Sequence, residues 1–212
     1  QVNLVELKKV FKKWQSGLYG KAWNPLYWLN HDHPRVMSQY GNATHYHKES
    51  GKMLATSLFM MWGTPFIYNG EEIGMTNANY DNLEDYRDVS VLESIDRLLA
   101  AGHPKELVKR HIAATARDNA RTPMQWNAKE NAGFTSGKPW LTINPNYTRI
   151  NVENSISDET SIYHFYKQLI KIKKEIPALC YGDFQPLFTS GKLMAFLRTF
   201  GNDEYTIILN MS

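Results

Sequence analysis

The 212-residue sequence predicts an α/β fold with a parallel sheet, followed from about residue 176 by an antiparallel all-β module. Two observations carry this. Amphipathic helical stretches alternate with short apolar runs, and each run ends in a polar cluster, the pattern of βα units. After Pro177 the hydrophobic period shortens to the twofold alternation of strands.

Residues 4–19 set Leu4, Leu7, Val10, Phe11, Trp14 and Leu18 on one helical face, with Lys8, Lys9, Lys12 and Lys13 mostly elsewhere. Gly17 and Gly20 end that helix. The run from Leu26 to Asp32 turns polar towards its end and stops at Pro34, as expected of a buried strand delivering polar groups to a sheet edge. A second helix is expected over 49–62, with Met53, Leu54, Ser57, Leu58, Met61 and Trp62 inward. Gly63-Thr64-Pro65 breaks it, and Phe66-Ile67-Tyr68 reads as another buried strand, followed by Glu71 and Glu72. Residues 76–104 form a polar excursion and then a helical stretch up to Gly102, and 105–117 look helical. From Asp118 to Tyr147 the chain is loop-rich, a length that is usually functional. A further helix spans 160–175, with Ile162, Phe165, Tyr166, Leu169, Ile170 and Ile172 inward and a Lys-rich outer face. Beyond it Phe184, Leu187-Phe188, Met194–Arg198 and Tyr205–Leu209 read as strands, with turns at Gly191-Lys192 and Gly201-Asn202.

Composition narrows the function classes. Hydrophobic residues at 42% and charged residues at 21% exclude wholesale disorder. No apolar run approaches the ~20 residues of a membrane helix, so no membrane partner is expected. Cys180, the one cysteine, cannot form an internal disulfide. A net charge of +3 is too weak to argue for nucleic acid. The chain opens Gln1-Val2-Asn3, with neither a start Met nor a signal peptide, and closes on the strand-like Tyr205–Ser212; together the ends predict a piece of something longer. Aromatics, at 13%, serve cores first but also line sugar and base sites.

The densest polar cluster is Asn30-His31-Asp32-His33-Pro34-Arg35, with His45 and His47 shortly after. His31, Asp32, His33 and His45 admit a metal-site reading, since His and Asp are zinc ligands, but no His-Glu-x-x-His helix or Cys pair accompanies them. Asp32 admits two more: a charge-stabilising carboxylate held ionised by the flanking His and Arg, or a cap before the Pro turn. Glu71 and Glu72 diverge in an extended segment, and a local salt bridge is the simpler reading. Arg117 and Arg121, four apart, can share a helix face and converge on a carboxylate or a sugar hydroxyl, or one can pair with Asp118. Tyr86-Arg87-Asp88 is unspecific alone.

These stretches resemble a family. Tyr27-Trp-Leu-Asn-His-Asp-His-Pro-Arg-Val-Met-Ser-Gln-Tyr-Gly41 is similar to a shared region of the α-amylase superfamily, glycoside hydrolase family 13. So are Lys52–Ala55, Gly63–Asn77, Asp85–Asp88, Arg117–Trp126, Ala132–Thr135 and Asn144–Tyr147, in that order. The set resembles the oligo-1,6-glucosidase subgroup, which includes α-glucosidases, dextran glucosidases and trehalose-6-phosphate hydrolases. The resemblance implies the C-terminal portion of a (β/α)8 barrel over 1–176 and the beginning of an antiparallel β domain over 177–212. It implies a retaining α-glucosidase acting on short oligosaccharides such as isomalto-oligosaccharides, in the cytoplasm. Alternatives are a trehalose-6-phosphate hydrolase or an α-1,4-glucosidase, or, from another class, a non-catalytic carbohydrate-binding or interaction fragment.

The nucleophile Asp and the acid Glu of such enzymes belong to the fourth and fifth barrel strands, whose motifs are absent here, so the isolated chain is expected to be inactive. What the resemblance assigns here is the third acid, Asp32, as transition-state stabiliser, with His31 and Arg117 as sugar-binding residues. It implies no cofactor and no metal in this segment. The expected partner is the upstream remainder of the barrel, or a second copy covering open strand edges. Two departures stand out: Ser90 where many 1,6-active relatives have Glu, bearing on the aglycone side, and Asn69 where relatives often have Gln, with no consequence expected.

Overall fold

The computed structural model describes residues 3–187 and 191–211; Gln1, Val2, Phe188 and Ser212, which figured in the expectations above, lie outside the described residues. In chain order the elements are α1 (Leu4–Leu18), β1 (Pro25–Leu26), α2 (Val36–Gln39), α3 (His47–Met60), β2 (Thr64–Pro65), α4 (Val89–Ala100), α5 (Lys105–Thr115), α6 (Asp118–Arg121), α7 (Val152–Ser157), α8 (Ile162–Glu175), α9 (Pro177–Tyr181), β3 (Gln185–Pro186), β4 (Leu193–Phe200) and β5 (Asp203–Asn210). They form two compact units, each built from separated segments. One draws on Gln1–Trp28, Lys48–Ile67 and His164–Ser212, the other on Leu29–His47 and Tyr68–Tyr163.

In the first unit β1 and β2 pair in parallel, Pro25 opposite Thr64 and Leu26 opposite Pro65. Parallel pairing matches expectation, but both strands are shorter and begin earlier than the apolar runs predict. Phe66 and Ile67 are exposed rather than buried, because among the described residues this sheet has two strands and leaves them no further strand to pack on. Gly63 permits the close approach. Its φ is +129°, and a Cβ there would meet the Asn24 carbonyl oxygen at 2.1 Å.

The helices of this unit follow their predicted spans closely, but the buried side chains differ. Asn3 caps α1, its side chain accepting from Val5 N–H at 3.1 Å and Glu6 N–H at 3.3 Å. On α1 Val10 and Trp14 are exposed, and Gln15 is buried in their place. Its amide satisfies both backbone groups of Trp62: Nε2 donates to the carbonyl at 3.0 Å, and Oε1 accepts the N–H at 2.8 Å. On α8 Lys173, assigned to the outer face, is buried, whereas Ile172 is exposed. Lys173 Nζ donates to the carbonyls of Phe59 and Met61, both at 2.8 Å, and of Leu179 at 3.1 Å. A buried polar group matched in this way does not carry the cost of an unpaired one, which is how it displaces an apolar neighbour from the core.

After Pro177 the chain first makes α9, with the proline in its first turn, before the expected strands begin. β3, β4 and β5 then form an antiparallel sheet in that order. The Gly201-Asn202 turn joins β4 to β5, with Phe200 opposite Asp203. Met194, Phe196 and Arg198 alternate inward on β4 and Ile207 and Leu209 on β5, as period two requires. Arg198, fully buried, donates to the carbonyls of Asp183 at 2.9 Å, Gly182 at 2.8 Å and Met60.

The second unit packs α4 against α5 over Tyr86, Val91, Ile95, Val108 and Ile112. A smaller cluster gathers Ile73, Met75, Met124 and Ile150. The loop-rich stretch from Asp118 is pinned by side-chain amides. Asn144 Nδ2 reaches the Thr76 carbonyl at 3.2 Å and the Asn77 carbonyl at 3.0 Å, and Asn119 Oδ1 accepts the Ala78 N–H at 3.0 Å. Buried backbone groups in a loop need such partners where no ladder supplies them.

Candidate active site

Three segments of the second unit build the polar site: the turn at 30–33, the loop entering α4, and the short α6 with the residue before it. The Asn30 side chain accepts the Asp32 N–H at 2.8 Å, and the Asn30 carbonyl accepts the His33 N–H at 3.3 Å. This Asx-type turn presents the His31 and Asp32 side chains outward. The segment is a turn, not the strand end that the apolar run predicts.

Arg35 fixes the turn from behind. It is fully buried, donating Nε to the Asn119 carbonyl at 3.0 Å, Nη1 to the Asn69 carbonyl at 2.6 Å and Nη2 to the Thr122 hydroxyl at 3.3 Å. Desolvation brings its pKa down to about 10, so it stays charged at neutral pH. The reading in which Arg35 holds Asp32 ionised is therefore corrected: its guanidinium is spent on backbone carbonyls and a hydroxyl of the α6 region. The carbonyl of Asn69 serves as one of these acceptors.

The cations beside Asp32 come from far along the chain. Arg117 Nη1 lies 3.1 Å and Arg121 Nη2 3.0 Å from Asp32 Oδ1, while His31 Nε2 lies 3.2 Å from Oδ2. Both arginines also bind Asp88: Arg117 Nη2 at 2.8 Å and Arg121 Nη1 at 2.5 Å. Convergence of the two arginines on a carboxylate is thus realised, and on two carboxylates. Asp118 is not their partner; its carboxylate accepts the N–H groups of Arg87 at 2.7 Å and Asp88 at 3.1 Å.

Asp88 caps α4, accepting from Ser90 N–H at 3.0 Å, Val91 N–H at 3.3 Å and the Ser90 hydroxyl at 2.6 Å. Ser90 Oγ in turn accepts from Arg117 Nη2 at 2.7 Å. Burial would raise the Asp88 pKa, but the Ser90 hydroxyl and both guanidiniums outweigh it and hold the carboxyl far below the usual range. Desolvation opposes ionisation of Asp32 too, and is overcome by His31, Arg117 and Arg121, so its pKa is lowered. Asp88 is the member that the sequence left unspecific; its helix-capping position before α4 is the signal that could have found it.

The remaining predicted groups lie outside this cluster. Glu71 is buried and accepts the Tyr68 N–H at 3.3 Å, and burial raises the Glu72 pKa. His45 meets the Thr44 hydroxyl at 3.3 Å and His47 the Gly74 carbonyl at 2.7 Å. Among the described residues no three His, Cys, Asp or Glu side chains group to hold a metal ion. No helix among them is long and apolar enough to cross a membrane. What the arrangement offers is an ionised carboxylate oxygen beside an imidazole, both open to solvent, backed by a guanidinium pair. Such a surface suits polyhydroxylated ligands and a developing positive charge.

Comparison with known proteins gives the chain's relatives. The family described as "Alpha amylase, catalytic domain" matches residues 1–182. An oligo-1,6-glucosidase of Parageobacillus thermoglucosidasius is 46% identical over 212 residues, covering 99% of this chain and 38% of the relative. A glucan 1,6-alpha-glucosidase of Streptococcus pneumoniae is 42% identical, covering 100% of this chain and 40% of its own length. The crystal structure of a trehalose-6-phosphate hydrolase from Bacillus licheniformis superposes with a TM-score of 0.97 at 42% identity, covering 100% of this chain and 38% of that one. The chain thus spans well under half the length of these relatives.

Proposed function

This chain belongs to the α-amylase family of glycoside hydrolases, and on that premise we propose that it forms part of a retaining α-glucosidase of the oligo-1,6-glucosidase type. The observation that carries the reading is the convergence of His31 and Arg117 on the carboxylate of Asp32, at 3.2 Å and 3.1 Å, the three residues that the family resemblance singles out. In this reading residues 1–176 are the C-terminal portion of a (β/α)8 barrel, and 177–212 open an antiparallel β domain. The partner is the rest of the barrel, carrying the nucleophile and general acid, and the enzyme works in the cytoplasm.

A retaining glycosidase passes twice through an oxocarbenium-like transition state, once forming and once breaking a glycosyl-enzyme bond. Asp32 binds ring hydroxyls of the sugar being transferred and faces the charge that develops at its anomeric carbon. A permanently ionised carboxylate is required there, and the arginines supply the reason it stays ionised. His31 donates to the same sugar. Arg117 holds Asp32 in place and limits its reach.

The test uses the full-length enzyme and p-nitrophenyl α-glucoside. Asp32→Asn is expected to lower kcat by about 10²–10³-fold, the scale on which a transition-state electrostatic group acts. An Asp32→Asn enzyme with wild-type kcat overturns the role. The 212-residue chain alone is expected to release no p-nitrophenol, and release at an enzyme-like rate overturns the assignment of nucleophile and acid elsewhere.

A further inference from the structure

We propose that Asp88 and Arg121 are positioning residues for the reaction, acting by fixing which oxygen of Asp32 faces the sugar; the proposal rests on the α-glucosidase reading above. Asp32 sits on a turn, with its side chain 43% exposed. Single exposed ion pairs hold geometry poorly, because water competes and long side chains keep their freedom. Yet a group that stabilises a transition state must be held within a fraction of an ångström. The structure places the missing rigidity at Asp88.

Asp88 has a side chain only 6% exposed. Its own place is set by the backbone at both ends: its N–H is held by Asp118, and its carboxylate caps α4. From that anchor each of its oxygens takes one guanidinium, Oδ1 from Arg117 and Oδ2 from Arg121. Each guanidinium then presents its second terminal nitrogen to the same atom, Asp32 Oδ1. Arg121 adds a third tie, Nε donating to the His31 carbonyl at 2.9 Å. The four groups close a neutral square of two anions and two cations. Oδ1 of Asp32 is consumed inside it, and Oδ2 with His31 Nε2 is left as the outward pair.

Charge alone does not require Asp88, since two arginines beside Asp32 keep it ionised without help. Geometry does require it. With Asp88 neutral, two guanidiniums facing one exposed carboxylate repel each other and are free to swing to either oxygen. The consequence is specific: ground-state binding of a neutral sugar survives, and affinity for a cationic mimic of the transition state falls with the rate.

The experiment compares wild-type full-length enzyme with Asp88→Asn and Arg121→Ala. Asparagine caps a helix as well as aspartate does, so α4 is preserved. For each protein kcat and KM on p-nitrophenyl α-glucoside are measured, with inhibition constants for neutral glucose and for cationic 1-deoxynojirimycin. For Asp88→Asn the expected result is a kcat lower by about 30-fold, iminosugar inhibition weakened in proportion, and glucose inhibition changed less than about threefold. Arg121→Ala is expected to behave alike and to regain at least about tenfold in kcat on adding guanidinium ion below denaturing concentrations. This second variant decides the matter if Asp88→Asn does not fold. A kcat within about threefold of wild type, equal losses for both inhibitors, or no response of Arg121→Ala to guanidinium overturns the positioning role. A wild-type enzyme that neither hydrolyses the glucoside nor binds the iminosugar overturns the α-glucosidase reading, and this inference with it.

Discussion

Raising the pH from 7.5 to 9.5 is expected to stabilise the first unit through Lys173. The pKa of this lysine is brought down to about 8 from an ordinary value of 10.5, by burial first and by the nearby Arg198 charge, with Cys180 opposing. Between those two values the unfolded chain keeps its proton and the folded chain releases it. Stability therefore rises with pH across that window and is flat below it, where both states are protonated. At 1.36 kcal/mol per unit the full gain is about 3 kcal/mol, and about 2 kcal/mol of it falls between pH 7.5 and 9.5. The assay is urea unfolding of the full-length protein, followed by tryptophan fluorescence, in parallel with Lys173→Met. The substitution leaves the carbonyls of Phe59, Met61 and Leu179 without their donor, so the variant is weaker at neutral pH. The informative quantity is the difference between the two proteins, which cancels every other titration. It is expected to widen by about 2 kcal/mol over the window. Parallel curves refute the reasoning, because they mean Lys173 releases no proton on folding.

Two substitutions test the packing of the same unit. Gly63→Ala brings a Cβ to 2.1 Å from the Asn24 carbonyl oxygen at a φ of +129°, and is expected to cost about 3 kcal/mol or more, read as a lowered urea midpoint. Gln15→Leu keeps the helix and the volume but leaves the Trp62 N–H and carbonyl unpaired; a loss of about 2–4 kcal/mol is expected by the same measurement, and a stabilised variant refutes the account of why glutamine is there.

Much of this protein was legible in its residues. The spans of α1, α3, α5 and α8 followed from periodicity, because a helix repeats every 3.6 residues whatever it packs on. The β4–β5 hairpin followed from alternation and from Gly201, whose positive φ a two-residue turn demands. The family followed from long ordered motifs between Tyr27 and Tyr147.

Periodicity marks which positions face inward but not which side chains find partners there. Gln15 and Lys173 are buried and Trp14 and Ile172 are not, because backbone groups of Trp62, Phe59, Met61 and Leu179 happen to lie within hydrogen-bond reach. The site teaches the same lesson. Asp32 read most naturally with its neighbour Arg35, three residues away. Its observed cations are Arg117 and Arg121, separated from it by 85 and 89 residues. Local sequence marked Asp32 as an acid in a polar cluster after an apolar run, and read it at a strand end where the structure has a turn. Which charges meet it, and that Asp88 closes the square, was decided by the tertiary fold, since Coulomb attraction and hydrogen bonding act on distance in space and not along the chain.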